Sequence, residues 1–79
     1  MREEIRIFAE QMEKVMSEHD KEKEDSWKTM DIYDLMDMLI TKSEEVEDEI
    51  SWDYSKRLKD EVIDLANFCM MVWNRIEVE

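Results

Sequence analysis

The sequence contains no glycine and no proline. The residues that usually punctuate tight turns are missing, which favours long helices joined by polar connections. There is a single cysteine, Cys69, so no disulfide forms within the chain. That excludes a secreted disulfide scaffold and fits a reducing, cytoplasmic setting. Basic residues are scarce: 11 Lys and Arg against 23 Asp and Glu give a formal charge of −12. A surface of that sign repels phosphate backbones and anionic lipid, so neither nucleic acid nor a membrane is an expected partner. No basic end precedes an apolar stretch, so no signal peptide is expected. The longest apolar stretch, near Leu65 to Trp73, is too short to cross a bilayer.

The chain has 79 residues, which allows one domain, 1–79. A core of that size is marginal without disulfides, metals or partners. Three amphipathic stretches are present. In the first, about Glu3 to Glu18, Ile5, Phe8, Ala9, Met12, Val15 and Met16 recur at helical steps. The polar run His19 to Ser26 then reads as a loop, or as a continuation of the first helix through its Lys and Glu residues. The second helix starts near Asp31, an N-cap candidate, and shows Ile32, Leu35, Met36, Leu39, Val46 and Ile50 on one face. Ser51 to Ser55 is a break. The third helix runs from Ser55 or Lys56 to about Ile76, with a stripe of Leu58, Val62, Leu65, Ala66, Cys69, Val72, Trp73 and Ile76. Beyond Val62 it is apolar almost all round, and a helix of that kind must be covered on several sides. The expected architecture is an all-α bundle of three main helices, completed by oligomerisation.

Two tetrapeptides share one pattern: Glu45-Val46-Glu47-Asp48 and Glu61-Val62-Ile63-Asp64. Residues three apart lie on one side of a helix, so each pattern projects two carboxylates together beside the apolar face. If the two helices pack antiparallel, four carboxylates converge. Carboxylates among apolar groups are costly unless neutralised, and a hard divalent cation such as Mg²⁺ is a suitable partner. The plain alternative is that these acids are solvated helix faces.

The stretch from about Trp27 to Asn74, over half the chain, resembles the MazG-like, all-α nucleoside triphosphate pyrophosphohydrolases. Their hallmark is Glu-x-x-Glu on one helix and Glu-x-x-Asp on the next. The matching pieces are Ser43-Glu44-Glu45-Val46-Glu47-Asp48 and Asp60 to Phe68, with Ser26-Trp27-Lys28 similar to a tryptophan before the second helix. The segment Asp64 to Met71 is similar to small phage and prokaryotic members. The chain departs from the pattern at Asp48, which stands for the second glutamate. It departs again at Lys42 and Glu49, where the family often has leucine. The literal Glu-x-x-Glu is Glu44 to Glu47, an alternative register.

The resemblance implies cleavage of a nucleoside triphosphate to the monophosphate and pyrophosphate. It implies Mg²⁺, or Mn²⁺, held by Glu45, Asp48, Glu61 and Asp64. Glu44 is then a candidate acid or base beside the metal, and Asn67 a donor to phosphate or base. Trp27, Trp52 and Phe68 are candidates to stack on the base, or are plain core or interface residues. Lys28, with Lys21, Lys23, Lys56 and Arg57, is placed to meet phosphates or simply to be solvated. His19 reads as exposed and Cys69 as a buried small hydrophobe. A dimer or tetramer is expected, covering the third helix and walling the base site. The competing expectation is a non-catalytic acidic helical module for interaction or regulation.

Overall fold

The periodicity of the chain becomes three packed helices in the computed structural model, which describes residues 1–23, 25–50 and 56–76, the side chains of 21–23 excepted. Helix α1 spans Glu3–Lys23, α2 spans Ile32–Ile50 and α3 spans Lys56–Arg75. A single 3₁₀ turn, Ser26–Lys28, lies between α1 and α2. Among the described residues there is no strand, so the fold is all-α. No helix is long and apolar enough to cross a membrane among those residues.

Local chemistry accounts for the boundaries. Helix α1 continues past Glu18 to Lys23, because the run after His19 holds good helix formers and no breaker. Asp31 caps α2: its Oδ1 accepts the Tyr33 backbone N–H at 2.8 Å. The expected break at Ser51 to Ser55 lies outside the described residues.

Helix α3 packs chiefly on α2, next on α1, and touches the 3₁₀ turn. The core is thin. Leu35 is fully buried, and Val46, Leu58 and Val72 are the other buried apolar side chains among the described residues. The rest of the α2 and α3 stripes is half-buried or exposed. Cys69 differs from expectation, for it is exposed. It shares an uncovered side of α3 with Trp73, 76% exposed, and Ile76. Neither α1 nor α2 covers that side within one copy. The N-terminal turns of α1 also stand clear of the bundle, leaving Ile5, Ile7 and Phe8 exposed.

One contact ties the end of α3 to the turn before α2. Arg75 Nη1 donates to the carbonyls of Trp27 at 2.7 Å and Met30 at 2.6 Å, both partly buried. Charge-assisted hydrogen bonds are strong, and the C-terminal end of a helix favours a cation. Arg75→Met is therefore expected to cost about 2 kcal/mol. Urea unfolding measures it; a loss within about 0.5 kcal/mol, as for an ordinary surface change, would show that the tether is not structural.

Candidate functional site: an acidic cluster beside an apolar cleft

Leu35, Leu39, Lys42, Val46 and Glu49 follow one another at four- and three-residue steps on α2. This is the stripe that meets α3. Two charged residues therefore stand in a packing stripe, and both are paired. Glu49 Oε1 meets Arg57 Nε at 3.2 Å. Lys42 gathers three acids. Its Nζ lies 2.7 Å from Glu45, 3.1 Å from Glu61 and 3.8 Å from Asp64. Glu45 comes from α2, while Glu61 and Asp64 come from α3. The Lys42 side chain is only 19% exposed.

The electrostatics follow from that arrangement. Burial alone pulls the Lys42 pKa down. Hydrogen bonds to Glu45 and Glu61, with their charges, outweigh it and hold the ammonium above the ordinary lysine value. The hydrogen bond from Lys42, with its charge, holds Glu45 below the usual glutamate range. Asp64 goes the other way: burial pushes it up, and the Lys42 and His19 charges do not cancel the effect. Three acids against one ammonium leave an excess of negative charge.

The cluster opens into a largely apolar cleft of about 360 Å³. Trp27, Met30, Leu35, Met38, Phe68 and Met71 line it, together with Lys42, Glu45, Asp64 and Asn67. That volume lies in the range of small-molecule sites, about 300–1,000 Å³. Two buried polar atoms in the lining have no hydrogen-bond partner among the described residues: Trp27 Nε1, a donor, and Asn67 Oδ1, an acceptor. Asn67 is 4% exposed, and its Nδ2 donates to the Met12 carbonyl at 3.3 Å. Its amide is thereby fixed, with the oxygen left over. Buried polar atoms are rarely left so, since each costs on the order of 1–3 kcal/mol.

The residues singled out in the sequence fall into two groups. Glu45, Glu61 and Asp64 come together around Lys42, and Trp27, Asn67 and Phe68 line the cleft with Glu45 and Asp64. Asp48 shares a smaller hollow with Glu45, Glu49, Arg57 and Glu61. Glu44 and Glu47 are exposed and line neither space. Lys28 is exposed, pairs with Asp25 at 3.2 Å and sits 5.7 Å from the centre of the Trp27 ring. Trp52 lies outside the described residues. His19 is exposed on α1, as expected, yet lines the cleft. Sequence reasoning missed Lys42, although its three-residue spacing from Glu45 already put the two on one side of α2.

Hard oxygen donors from two helices suit a divalent cation in kind. Their spacing is set by an ammonium. Among the described residues no group of three or more His, Cys, Asp or Glu side chains is arranged to hold a metal ion. The position between these acids is occupied by the Lys42 ammonium. No known protein family, curated protein or solved structure matches the chain.

Proposed function

We propose that the chain is a Mg²⁺-dependent nucleoside triphosphate pyrophosphohydrolase, giving the monophosphate and pyrophosphate. The observation that carries this reading is the junction of two features. Carboxylates from α2 and α3 converge on a cation position, and beside them lies an apolar cleft with an unused donor and an unused acceptor. A nucleotide has matching parts: anionic oxygens that need a cation between themselves and the acids, and a flat base with hydrogen-bonding edges.

The roles follow from position. Trp27 and Phe68 offer ring faces to the base. Trp27 Nε1 is free to donate to its polar edge and Asn67 Oδ1 to accept from it. Met30, Met38 and Met71 exclude water from it. Glu45, Glu61 and Asp64, with Asp48 adjoining, would hold Mg²⁺, or Mn²⁺ in its place. Bound there, the metal supplies a Lewis acid for phosphate oxygens and lowers the pKa of a water. Burial that the Lys42 charge does not offset pushes the Asp64 pKa up, so a cation beside its carboxylate would be favourable. A second copy of the chain covering Trp73 and Ile76 on α3 would complete the bundle as a dimer or tetramer in the cytoplasm.

A second reading has an observation of its own. Lys42 already neutralises part of the cluster, which suits an acidic helical module that acts only by interaction. Pyrophosphate release separates the two. Ordinary and modified nucleoside triphosphates are screened with Mg²⁺ and Mn²⁺, alongside Glu61→Gln. Release by the wild type and at least about 100-fold less by the variant is expected. No release from any substrate leaves the interaction module standing.

A further inference from the structure

The lining of the apolar cleft leaves two polar atoms unused, one of each kind. Trp27 Nε1 is a donor and Asn67 Oδ1 an acceptor, both buried and without a hydrogen-bond partner among the described residues. We propose that the cleft binds, without any metal, an uncharged flat ring that carries its own donor and acceptor, as a cyclic amide does. Such binding uses neither the acidic cluster nor hydrolysis, so it holds whether or not the chain cleaves phosphate anhydrides.

The cleft defines the ligand in kind. Asn67 is 4% exposed on α3, and its Nδ2 is committed to the Met12 carbonyl at 3.3 Å. That contact fixes which way the amide faces. Its Oδ1 is left for an N–H that no described residue supplies. The Trp27 indole N–H in turn wants an acceptor. A water molecule is a poor occupant, since it needs roughly two to four polar partners and the wall is largely apolar. A ring brings the polar atoms on an apolar body. Trp27 and Phe68 offer aromatic surface to its faces, and Met30 and Met71 adapt to its outline. The volume of about 360 Å³ admits a small molecule of one or two fused rings.

Charge disfavours an anionic ligand. Asp20, Glu45 and Asp64 border the cleft against one lysine, Lys42. That lysine is already shared among Glu45, Glu61 and Asp64. A phosphate carried on the ring meets this excess of carboxylates and is repelled. Without metal, the neutral ring therefore binds better than its phosphorylated form. Entry is local. Trp27 is carried on the single 3₁₀ turn Ser26–Lys28 rather than within a long helix, so its side chain can turn to admit the ring.

The test measures binding to the full chain in EDTA by equilibrium dialysis. The first probe is isoquinolone, an uncharged two-ring cyclic amide. Saturable binding is expected, and its N-methyl derivative, which lacks the donor, should bind at least about tenfold more weakly. Asn67→Leu removes the acceptor and is expected to erase that difference; a difference that survives would overturn the proposal. Should Asn67→Leu fail to fold, Trp27→Phe carries the test. It keeps an aromatic ring, removes the indole donor, and is expected to weaken isoquinolone at least about tenfold; unchanged affinity would overturn the proposal. Uridine and pterin carry the same kind of polar edge on one ring and on two. Saturable binding of either supports the proposal, and the tighter of the two identifies the source of the ring. No saturable binding of isoquinolone, uridine or pterin would overturn it. Uridine triphosphate is expected to bind more weakly than uridine in EDTA, and the reverse order would overturn the neutral-ligand assignment. Pyrophosphate release, measured with metal, is a separate readout, so either reading can fail without the other.

Discussion

Asp64→Asn is expected to raise the melting temperature of the metal-free chain at pH 7 while lowering pyrophosphate release at least about 100-fold. The two effects have one origin. Asp64 is charged in a partly buried place, and burial outweighs the attraction of Lys42 and His19. Its folded-state pKa lies above its unfolded value, so folding favours the protonated form. Above the folded pKa the carboxylate therefore costs stability. As pH falls through that value the folded carboxyl gains its proton first, and the cost fades. The gain in melting temperature should thus be largest at neutral pH. It should close in acid, as pH drops towards the ordinary value of 3.8. Glu45, shifted downward by Lys42, acts in the opposite sense in both proteins and drops out of the comparison. Melting curves across pH 3–7 give the first readout. A lower melting temperature in the variant at pH 7 would mean that attraction to Lys42, not burial, dominates. Undiminished hydrolysis would remove Asp64 from the site.

Leu35→Ala should come close to unfolding the chain. Leu35 is the one fully buried large side chain among the described residues. Removing it loses both transfer free energy and packing, about 3 kcal/mol in a site that collapses incompletely. A small domain has on the order of 5 kcal/mol in total. Leu35 also lines the cleft, so the void would merge with the space proposed for the base. Urea denaturation at fixed protein concentration measures the loss. A cost under about 1 kcal/mol would show that the helices settle into the gap.

The helices were legible because their apolar residues recur at helical steps and nothing interrupts them. Val46 and Leu58, read as core, are buried. The Asp31 cap was legible for the same local reason. The far end of α1 was open because Lys and Glu serve loops and helices alike. The convergence of Glu45, Glu61 and Asp64 could be anticipated from the paired motifs. The ammonium among them could not, since that contact depends on how α2 and α3 align. Cys69 shows the same limit: its place on an apolar stripe says nothing of which side one copy leaves uncovered. The unused atoms of Trp27 and Asn67 are invisible to periodicity, which records polarity but not partners.

The guanidinium of Arg75 grips the carbonyl of the very tryptophan whose ring borders the cleft. Fraying of the last turn of α3 would therefore untie the backbone that carries that ring. Whatever clamps the helix terminus, such as a neighbouring subunit resting on Trp73, would stiffen the distant aromatic wall without touching it. Trimming by a protease would do the reverse.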